Sequence, residues 1–239
     1  MTQDSTRQRG LDSLASKERF DALLAKIDDA EAFDTSLGVE TNRPVEPWEI
    51  EEANDTTLLN NSRYSPTPVQ TIRQAIAASP LRYEDISFVD FGSGKGRAML
   101  VASEFPFRKV IGVEFSRRLC ETARENVERY RGPRKCGTVD VRCQDAAAFT
   151  IPDDASFFYF YEPFTVAVAQ QVLRNIEASV RSHPRQAVLC LVGAGLLAAL
   201  DGPSPWTQLG ETLASPDDPY FDTRLYVNGT QEHSTDGTA

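Results

Sequence analysis

Side chains that bind metals tightly are scarce in this sequence, which has two histidines and four cysteines among its 239 residues. The cysteines show no CxxC spacing, so we expect no structural zinc site. His183 precedes a proline at the end of a predicted helix, and His233 lies in a polar C-terminal stretch. Neither position suits the imidazole of a Ser-His-Asp triad, so we expect a chemistry without a histidine-activated nucleophile.

An excess of basic residues is also lacking, because the formal net charge is −10. Residues 1–60 hold 14 acidic and 6 basic side chains, a net of −8, whereas the charges of the remaining chain nearly cancel. Such a chain lacks the positive field that attracts phosphate backbones. We therefore do not expect a nucleic acid as partner or substrate.

Long apolar runs are missing as well. The longest one, Ala187–Leu200, contains glycines and is too short to span a bilayer. Residues 1–10 are polar and lead into no apolar segment, so we expect no secretory signal peptide. These features predict a cytoplasmic location and no membrane partner.

The length allows one sizeable α/β domain with appendages. We predict an N-terminal helical extension or lid with a connector over residues 1–60, the main domain over 61–228 and a flexible tail over 229–239. Apolar residues recur at roughly helical spacing from Leu11 to Phe33, which indicates an amphipathic helix. Its apolar face must pack either on the main domain or on a second subunit, in which case the chain forms a homodimer.

Short apolar runs alternate with helical patterns in the main domain. The predicted strands are Ile86–Phe91, Val110–Glu114, Val139–Cys143, Ser156–Tyr161 and Ala187–Val192. The predicted helices are Val69–Ala78, Gly96–Glu104, Ser116–Tyr130 and Thr165–Arg181. This order favours an α/β fold with a Rossmann-like, doubly wound and mostly parallel sheet. Trp206–Leu213 and Thr223–Val227 flank a turn-rich segment and predict a C-terminal antiparallel hairpin, which completes seven strands.

The most informative segment is Phe88-Val-Asp-Phe-Gly-Ser-Gly-Lys-Gly-Arg97, at the junction of the first strand and its helix. In doubly wound sheets this turn faces the ligand crevice. Gly92, Gly94 and Gly96 remove side chains, so the backbone can turn sharply and approach a ligand closely. A tight turn without a ligand would have the same composition, so the ligand needs support from other residues.

Three acidic residues at successive strand ends provide this support. Asp90 precedes the first glycine by two residues, where a carboxylate suits the amino group or sulfonium of S-adenosylmethionine. Glu114 ends the second strand and can accept hydrogen bonds from both ribose hydroxyls of a nucleoside. Asp145 follows the third strand, where it can accept a hydrogen bond from the adenine amino group. One such acid alone is commonly a solvated loop residue, but three at consecutive strand ends favour a nucleoside site.

These motifs resemble the successive motifs of class I S-adenosylmethionine-dependent methyltransferases, over roughly residues 63–227. The resemblance is closer to one bacterial group with an FDxxxGVDT-like segment and a YxPTP segment before the glycine-rich loop. Here these segments are Phe33-Asp-Thr-Ser-Leu-Gly-Val-Glu-Thr41 and Tyr64-Ser-Pro-Thr-Pro68. The resemblance implies S-adenosylmethionine as cofactor, with Tyr64 and Thr67 closing over its methionine end. The structural alternatives are that Tyr64 packs and Thr67 caps the following helix.

The end of the fourth predicted strand, Phe157-Phe-Tyr-Phe-Tyr-Glu-Pro-Phe164, resembles the Asn-Pro-Phe of this group. It is more distantly similar to the [Asn/Asp]-Pro-Pro-aromatic loop of amino-methyltransferases, where a polar side chain and a carbonyl hold an amine and the aromatic ring packs against the target. Glu162 stands where asparagine is expected, yet it can accept an N–H bond or a proton. We therefore nominate Glu162 as catalytic and an amine, on a small molecule or a protein, as the methyl acceptor. The alternative is an exposed glutamate after a buried strand.

Two other functions stay open at this point. A nicotinamide-dependent oxidoreductase is disfavoured because the glycine spacing departs from GxGxxG and Asp90 would repel a pyrophosphate. A cofactor-binding module without catalysis would keep the same acids. We further expect Lys95 to point into solvent, and the acidic N-terminal segment to lie over the acceptor site and select a cationic partner.

Overall fold

The computed structural model describes residues 31–46, 49, 64–202, 204–215 and 222–229. Its centre is a seven-stranded sheet. The strands are β1 (Ser87–Phe91), β2 (Lys109–Glu114), β3 (Thr138–Cys143), β4 (Ala155–Tyr161), β5 (Val188–Val192), β6 (Trp206–Gln208) and β7 (Thr223–Asn228). Their order across the sheet is β3-β2-β1-β4-β5-β7-β6. Strands β1 to β5 run parallel, whereas β7 is antiparallel to β5 and to β6. The predicted Rossmann-like sheet with a C-terminal antiparallel pair is confirmed.

Helices cover both faces of this sheet. They are α1 (Val69–Ala77), α2 (Arg97–Ala102), α3 (Arg117–Arg129) and α4 (Val166–Ser182). Successive strand residues point to opposite faces. Phe88, Tyr159 and Cys190 therefore pack with α1 and α2, whereas Phe91 and Phe160 pack with α4 on the other side. This is the doubly wound arrangement that the alternating pattern predicts.

Most predicted element boundaries lie within two residues of the observed ones. Ser116 caps α3 as expected, because its hydroxyl accepts a hydrogen bond from the Leu119 amide at 3.4 Å. Strand β6 is shorter than the predicted Trp206–Leu213. Gly210 has a φ of 66°, which interrupts extended backbone, and pairing with β7 resumes only at a bridge between Leu213 and Thr223.

The N-terminal helix predicted over Leu11–Phe33 lies largely outside the described residues. Residues 31–37 are helical, and the Phe33 side chain at this end is buried in the core formed with α1 and α2. This part of the apolar face therefore packs on the main domain, and homodimer formation stays a prediction. No helix within the described ranges is long and apolar enough to cross a membrane.

Candidate active site

The carboxyl ends of β1, β2 and β4 meet at the glycine-rich loop. Gly92, Gly94 and Gly96 all have positive φ angles, of 74°, 52° and 87°, which only glycine adopts readily. A Cβ atom at Gly92 would collide with the side chain of Pro163, and one at Gly94 would collide with the ring of Tyr64. Because these glycines have no side chains, two other segments of the chain can lie close to the loop. The loop can also turn sharply for the same reason.

Asp90 is a buried carboxyl group at the end of β1, with 3% of its surface exposed. Among the described residues, no hydrogen-bond donor or basic side chain partners its carboxylate. Burial, and to a lesser extent the negative charge of Glu114, raises the pKa of Asp90 to about 8. A buried acid without a partner has the chemistry of a site for a cationic group. It fits the ammonium or sulfonium that the sequence predicts.

Glu114 anchors the glycine-rich loop to the beginning of α3. Its Oε2 accepts a hydrogen bond from the Gly94 amide at 2.9 Å. Its Oε1 accepts hydrogen bonds from the Phe115 and Ser116 amides at 3.0 and 2.9 Å. The carboxylate is therefore held by backbone amides at the end of β2. Its predicted contact with ribose hydroxyls stays a prediction.

Asp145 occupies an exposed turn directly after β3. Its Oδ1 accepts a hydrogen bond from the Ala147 amide at 2.9 Å and so caps the short 3-10 helix Ala146–Ala148. This turn lies beside the end of β2, because the adjacent Gln144 donates its backbone amide to the Glu114 carbonyl at 2.8 Å. This accessible position suits the predicted contact with adenine, which no observation tests.

Tyr64 lies over the glycine-rich loop, with its ring against Gly94. Its hydroxyl donates to the Thr41 carbonyl at 2.7 Å, and its backbone forms an antiparallel bridge with Val45. Burial raises the pKa of Tyr64 above its ordinary value, so the hydroxyl stays protonated and acts as a donor. Tyr64 is thus placed beside the loop by the N-terminal segment, and its contact with the cofactor stays a prediction.

Thr67 is buried beside the Asp90 end of the sheet. Its hydroxyl oxygen accepts a hydrogen bond from Tyr159 at 3.1 Å. The alternative that Thr67 caps the following helix is wrong. The residue at the N-cap of α1 is Pro68, and no side chain caps this helix end. Because Pro68 occupies the cap position, Thr67 lies outside the first turn of α1. Its hydroxyl instead accepts the hydrogen bond from Tyr159.

A second group of site residues, which the sequence analysis did not assign, comes from residues 33–41. The Asp34 carboxylate accepts hydrogen bonds from the Thr41 amide and hydroxyl, both at 2.6 Å, and from the Asn42 amide at 2.7 Å. Arg97, which begins α2, donates to the Thr41 hydroxyl at 2.7 Å and pairs with Asp34 at 3.3 Å. The end of the helix over residues 31–37 and the turn that follows it, here together called the N-terminal loop (residues 34–41), are therefore fastened to the glycine-rich loop.

The expectation that Lys95 points into solvent is wrong. Its side chain is 5% exposed, and its Nζ forms an ion pair with Glu40 Oε1 at 2.6 Å. A lysine in a loop normally extends into water because burial of its charge is costly without a partner. The N-terminal loop supplies this partner from a position 55 residues away, which the local sequence around Lys95 does not reveal.

Glu162 follows β4 and is the single non-glycine residue with positive φ in the part of the chain that the structure describes, at 39°. Its Oε1 accepts a hydrogen bond from the Gly195 amide at 2.6 Å, after β5. The adjacent Pro163 lies against Gly92, so this turn borders the glycine-rich loop. Phe164 is buried against Phe160 with ring centroids 6.3 Å apart, and its ring is therefore part of the core.

A family match covers the residues that form most of this site. Residues 88–183, which include the glycine-rich loop, Glu114 and Glu162, match the family described as a methyltransferase domain. No curated protein matches the chain. The matched family is one of methyltransferase domains, which agrees with the methyltransferase resemblance of the motifs.

Solved structures that are similar in fold include methyltransferases. A putative methyltransferase from Escherichia coli aligns with 68% of this chain and 88% of its own, at 14% identity and a TM-score of 0.50. An RNA methyltransferase from Salinibacter ruber, solved with S-adenosyl-L-homocysteine, aligns with 68% of this chain and 91% of its own, at 19% identity and a TM-score of 0.46. The protein MtNAS, solved with S-adenosylmethionine, aligns with 67% of this chain and 60% of its own, at 18% identity and a TM-score of 0.46. At 14% identity, the likeness to the Escherichia coli structure concerns the fold alone.

Proposed function

We propose that this chain is a class I S-adenosylmethionine-dependent methyltransferase that transfers the methyl group to an amine, on a small molecule or a protein, with Glu162 contacting the acceptor nitrogen. The observation that carries this proposal is the Glu162 carboxylate. It lies at the end of β4 in a strained left-handed conformation, and no basic side chain within the described residues pairs with it. Backbone strain of this kind concentrates at functional sites.

The chain's own residues fit the cofactor. The cofactor supplies an electrophilic methyl group on a sulfonium, and its amino acid end carries an ammonium. The buried Asp90 carboxyl would hold this ammonium, since it has no cationic partner among the described residues. Tyr64 and Thr67 lie near Asp90 and would border the methionine end. Glu114 and Asp145 would bind the ribose and the adenine, respectively.

Glu162 has two tasks in this proposal. An amine attacks through its lone pair, so an acceptor that arrives as an ammonium ion must first lose a proton. The Glu162 carboxylate can accept that proton, and it can hold the remaining N–H bonds in the direction needed for transfer. The hydrogen bond from Gly195 fixes Oε1, which leaves Oε2 for the acceptor.

The N-terminal segment would add selectivity for a cationic acceptor. The N-terminal loop lies against the glycine-rich loop through Lys95 and Arg97, and its Glu40 side chain remains 53% exposed. Together with the acidic bias of residues 1–60, this favours approach of positively charged partners over negatively charged ones.

Transfer of a tritiated methyl group from S-adenosylmethionine into fractionated cell extract tests the proposal directly. We expect label in an amine, and we expect Glu162→Gln to lose transfer while its affinity for S-adenosylmethionine stays unchanged. Glu84→Gln, at an exposed turn before β1, is the matched control and should behave as the unmodified protein. Label found in a carboxylate or thiol would refute the acceptor class, and full transfer by Glu162→Gln would refute the role of Glu162.

A further inference from the structure

Asn126 lies in the third turn of α3, and its side chain is almost completely enclosed, with 2% exposed. The other buried residues of α3 are apolar or cysteine: Leu119, Cys120 and Ala123. A carboxamide on this buried face of α3 needs hydrogen-bond partners within the protein, since burying an amide without partners costs free energy. Its partners belong to two loops that are far apart in the sequence.

All three hydrogen bonds of this carboxamide go to backbone groups. The Oδ1 atom accepts from the Glu40 amide at 2.8 Å, and Nδ2 donates to the Glu40 carbonyl at 2.9 Å. The second hydrogen of Nδ2 is donated to the Lys95 carbonyl at 2.9 Å. Asn126 thus joins the N-terminal loop to the glycine-rich loop, in addition to the ion pair between the side chains of Glu40 and Lys95.

The bond to Lys95 acts on the conformation of the glycine-rich loop. The Lys95 carbonyl belongs to the peptide bond that precedes Gly96. Gly96 has a φ of 87° and is the N-cap residue of α2. On the other side of Lys95, Gly94 donates its amide to Glu114. Glu114 lies two residues before the Ser116 cap of α3, so the loop is fixed at two neighbouring points by α3 and the residues that lead into it.

We propose that Asn126 is a positioning residue for cofactor binding. It holds the N-terminal loop and the glycine-rich loop in the arrangement that binds S-adenosylmethionine, without contacting the cofactor itself. Without it, these loops must be ordered when the cofactor binds, and ordering reduces the affinity. The inference rests on the proposed function only through the cofactor and is independent of the acceptor and of Glu162.

Two variants separate the contributions of the carboxamide. Asn126→Ala removes all three hydrogen bonds, whereas Asn126→Asp keeps the volume and the acceptor for the Glu40 amide but loses both donors. For each variant we expect at least about tenfold weaker binding of S-adenosylmethionine and S-adenosylhomocysteine in calorimetry, the size of effect that one or two lost hydrogen bonds produce. With an acceptor in hand, KM for S-adenosylmethionine should rise while kcat stays unchanged.

The matched control is Asn228, the last residue of β7, which makes the same kind of contacts far from the glycine-rich loop. Its Oδ1 accepts from the Ala187 amide at 2.7 Å, and its Nδ2 donates to the Arg185 carbonyl at 2.8 Å. Asn228→Ala should lower the free energy of unfolding, as Asn126→Ala does, but leave the cofactor affinity unchanged. This difference distinguishes a positioning role from a merely structural one.

The outcomes are distinguishable. Unchanged cofactor affinity in Asn126→Ala overturns the inference, and if that variant fails to fold, unchanged affinity in Asn126→Asp overturns it. Equal losses of affinity in the Asn126 and Asn228 variants would also overturn it, since the loss would then follow stability alone. Failure of the unmodified protein to bind either compound would instead overturn the cofactor assignment, and the inference with it.

Discussion

Asp34 and Arg97 are 63 residues apart in the sequence, and their side chains form a 3.3 Å ion pair that is 13% and 3% exposed. The pair joins the N-terminal loop to the first residue of α2. The Asp34 carboxylate also accepts the amides of Thr41 and Asn42, so one side chain closes the loop and fastens it. The beginning of the described chain is therefore attached to the end of the sheet that carries the glycine-rich loop.

Replacement of Asp34 should destabilise the protein strongly. Asp34→Ala removes the acceptor for two backbone amides and for a buried guanidinium, so we expect the free energy of unfolding to fall by about 3 kcal/mol. Urea denaturation measures this change. The control is Asp85→Ala, which removes an exposed ion pair with Arg82 and should cost within about 0.5 kcal/mol. Similar losses in both variants would show that the Asp34 pair contributes no more than a surface contact.

A side chain at position 94 should also be unfavourable, for two separable reasons. Gly94 has a φ of 52°, and a Cβ there would collide with the Tyr64 ring. Gly94→Ala should cost at least about 1 kcal/mol from the backbone conformation alone. In a double-mutant cycle, Tyr64→Ala should recover part of the loss that comes from the collision. Strict additivity of the two substitutions would mean that the ring does not rest on the loop.

Glu114→Ala should weaken both cofactor binding and the fold. The loss of charge-assisted contacts predicts a decrease in affinity for S-adenosylmethionine of about 2 kcal/mol. The structure adds a loss of stability, because Gly94, Phe115 and Ser116 lose the acceptor of their amides. Calorimetry and urea denaturation measure the two effects separately. Unchanged affinity together with lower stability would remove Glu114 from the ribose site and leave it as an anchor of the loop.

The fold and the central motif could be predicted from the sequence because both depend on local patterns. Strands β1, β2, β4 and β5 are short, mostly apolar runs, β3 alternates polar and apolar residues, and the glycines of the loop lie within five consecutive residues. The contacts of Lys95 and Asn126 could not be predicted in this way, since their partner Glu40 is 55 and 86 residues away. One indication was present: Asn126 continues the helical spacing of Leu119 and Ala123, which places a polar side chain on a buried face.

Asp90 predicts how stability depends on pH. Its pKa is about 8 in the folded protein, above the ordinary value of 3.8. Between these values the folded state holds a proton that the unfolded state releases, so this group's contribution to stability is present below pH 3.8 and is lost as pH rises to about 8. Asp90→Asn removes this dependence. Relative to the unmodified protein, the variant should gain stability in urea denaturation as pH rises from 5 to 8. A difference that does not change with pH would contradict the raised pKa.

The same carboxyl group predicts a proton linkage in cofactor binding. At pH 7 the free protein holds a proton on Asp90, and a cationic ammonium beside it favours the ionised form, so binding should release about one proton. Calorimetric titrations with S-adenosylmethionine at pH 7, in two buffers of different ionisation enthalpy, measure the number of protons released.

Asp90→Asn should abolish the release and weaken binding by about tenfold or more, because a neutral amide replaces a buried ion pair. Asp145→Asn serves as the control, since it removes a carboxylate from the exposed turn after β3, away from the buried end of β1, and should keep the proton release. Proton release that persists in Asp90→Asn would place the linked group elsewhere, and binding without any release would separate Asp90 from the ammonium.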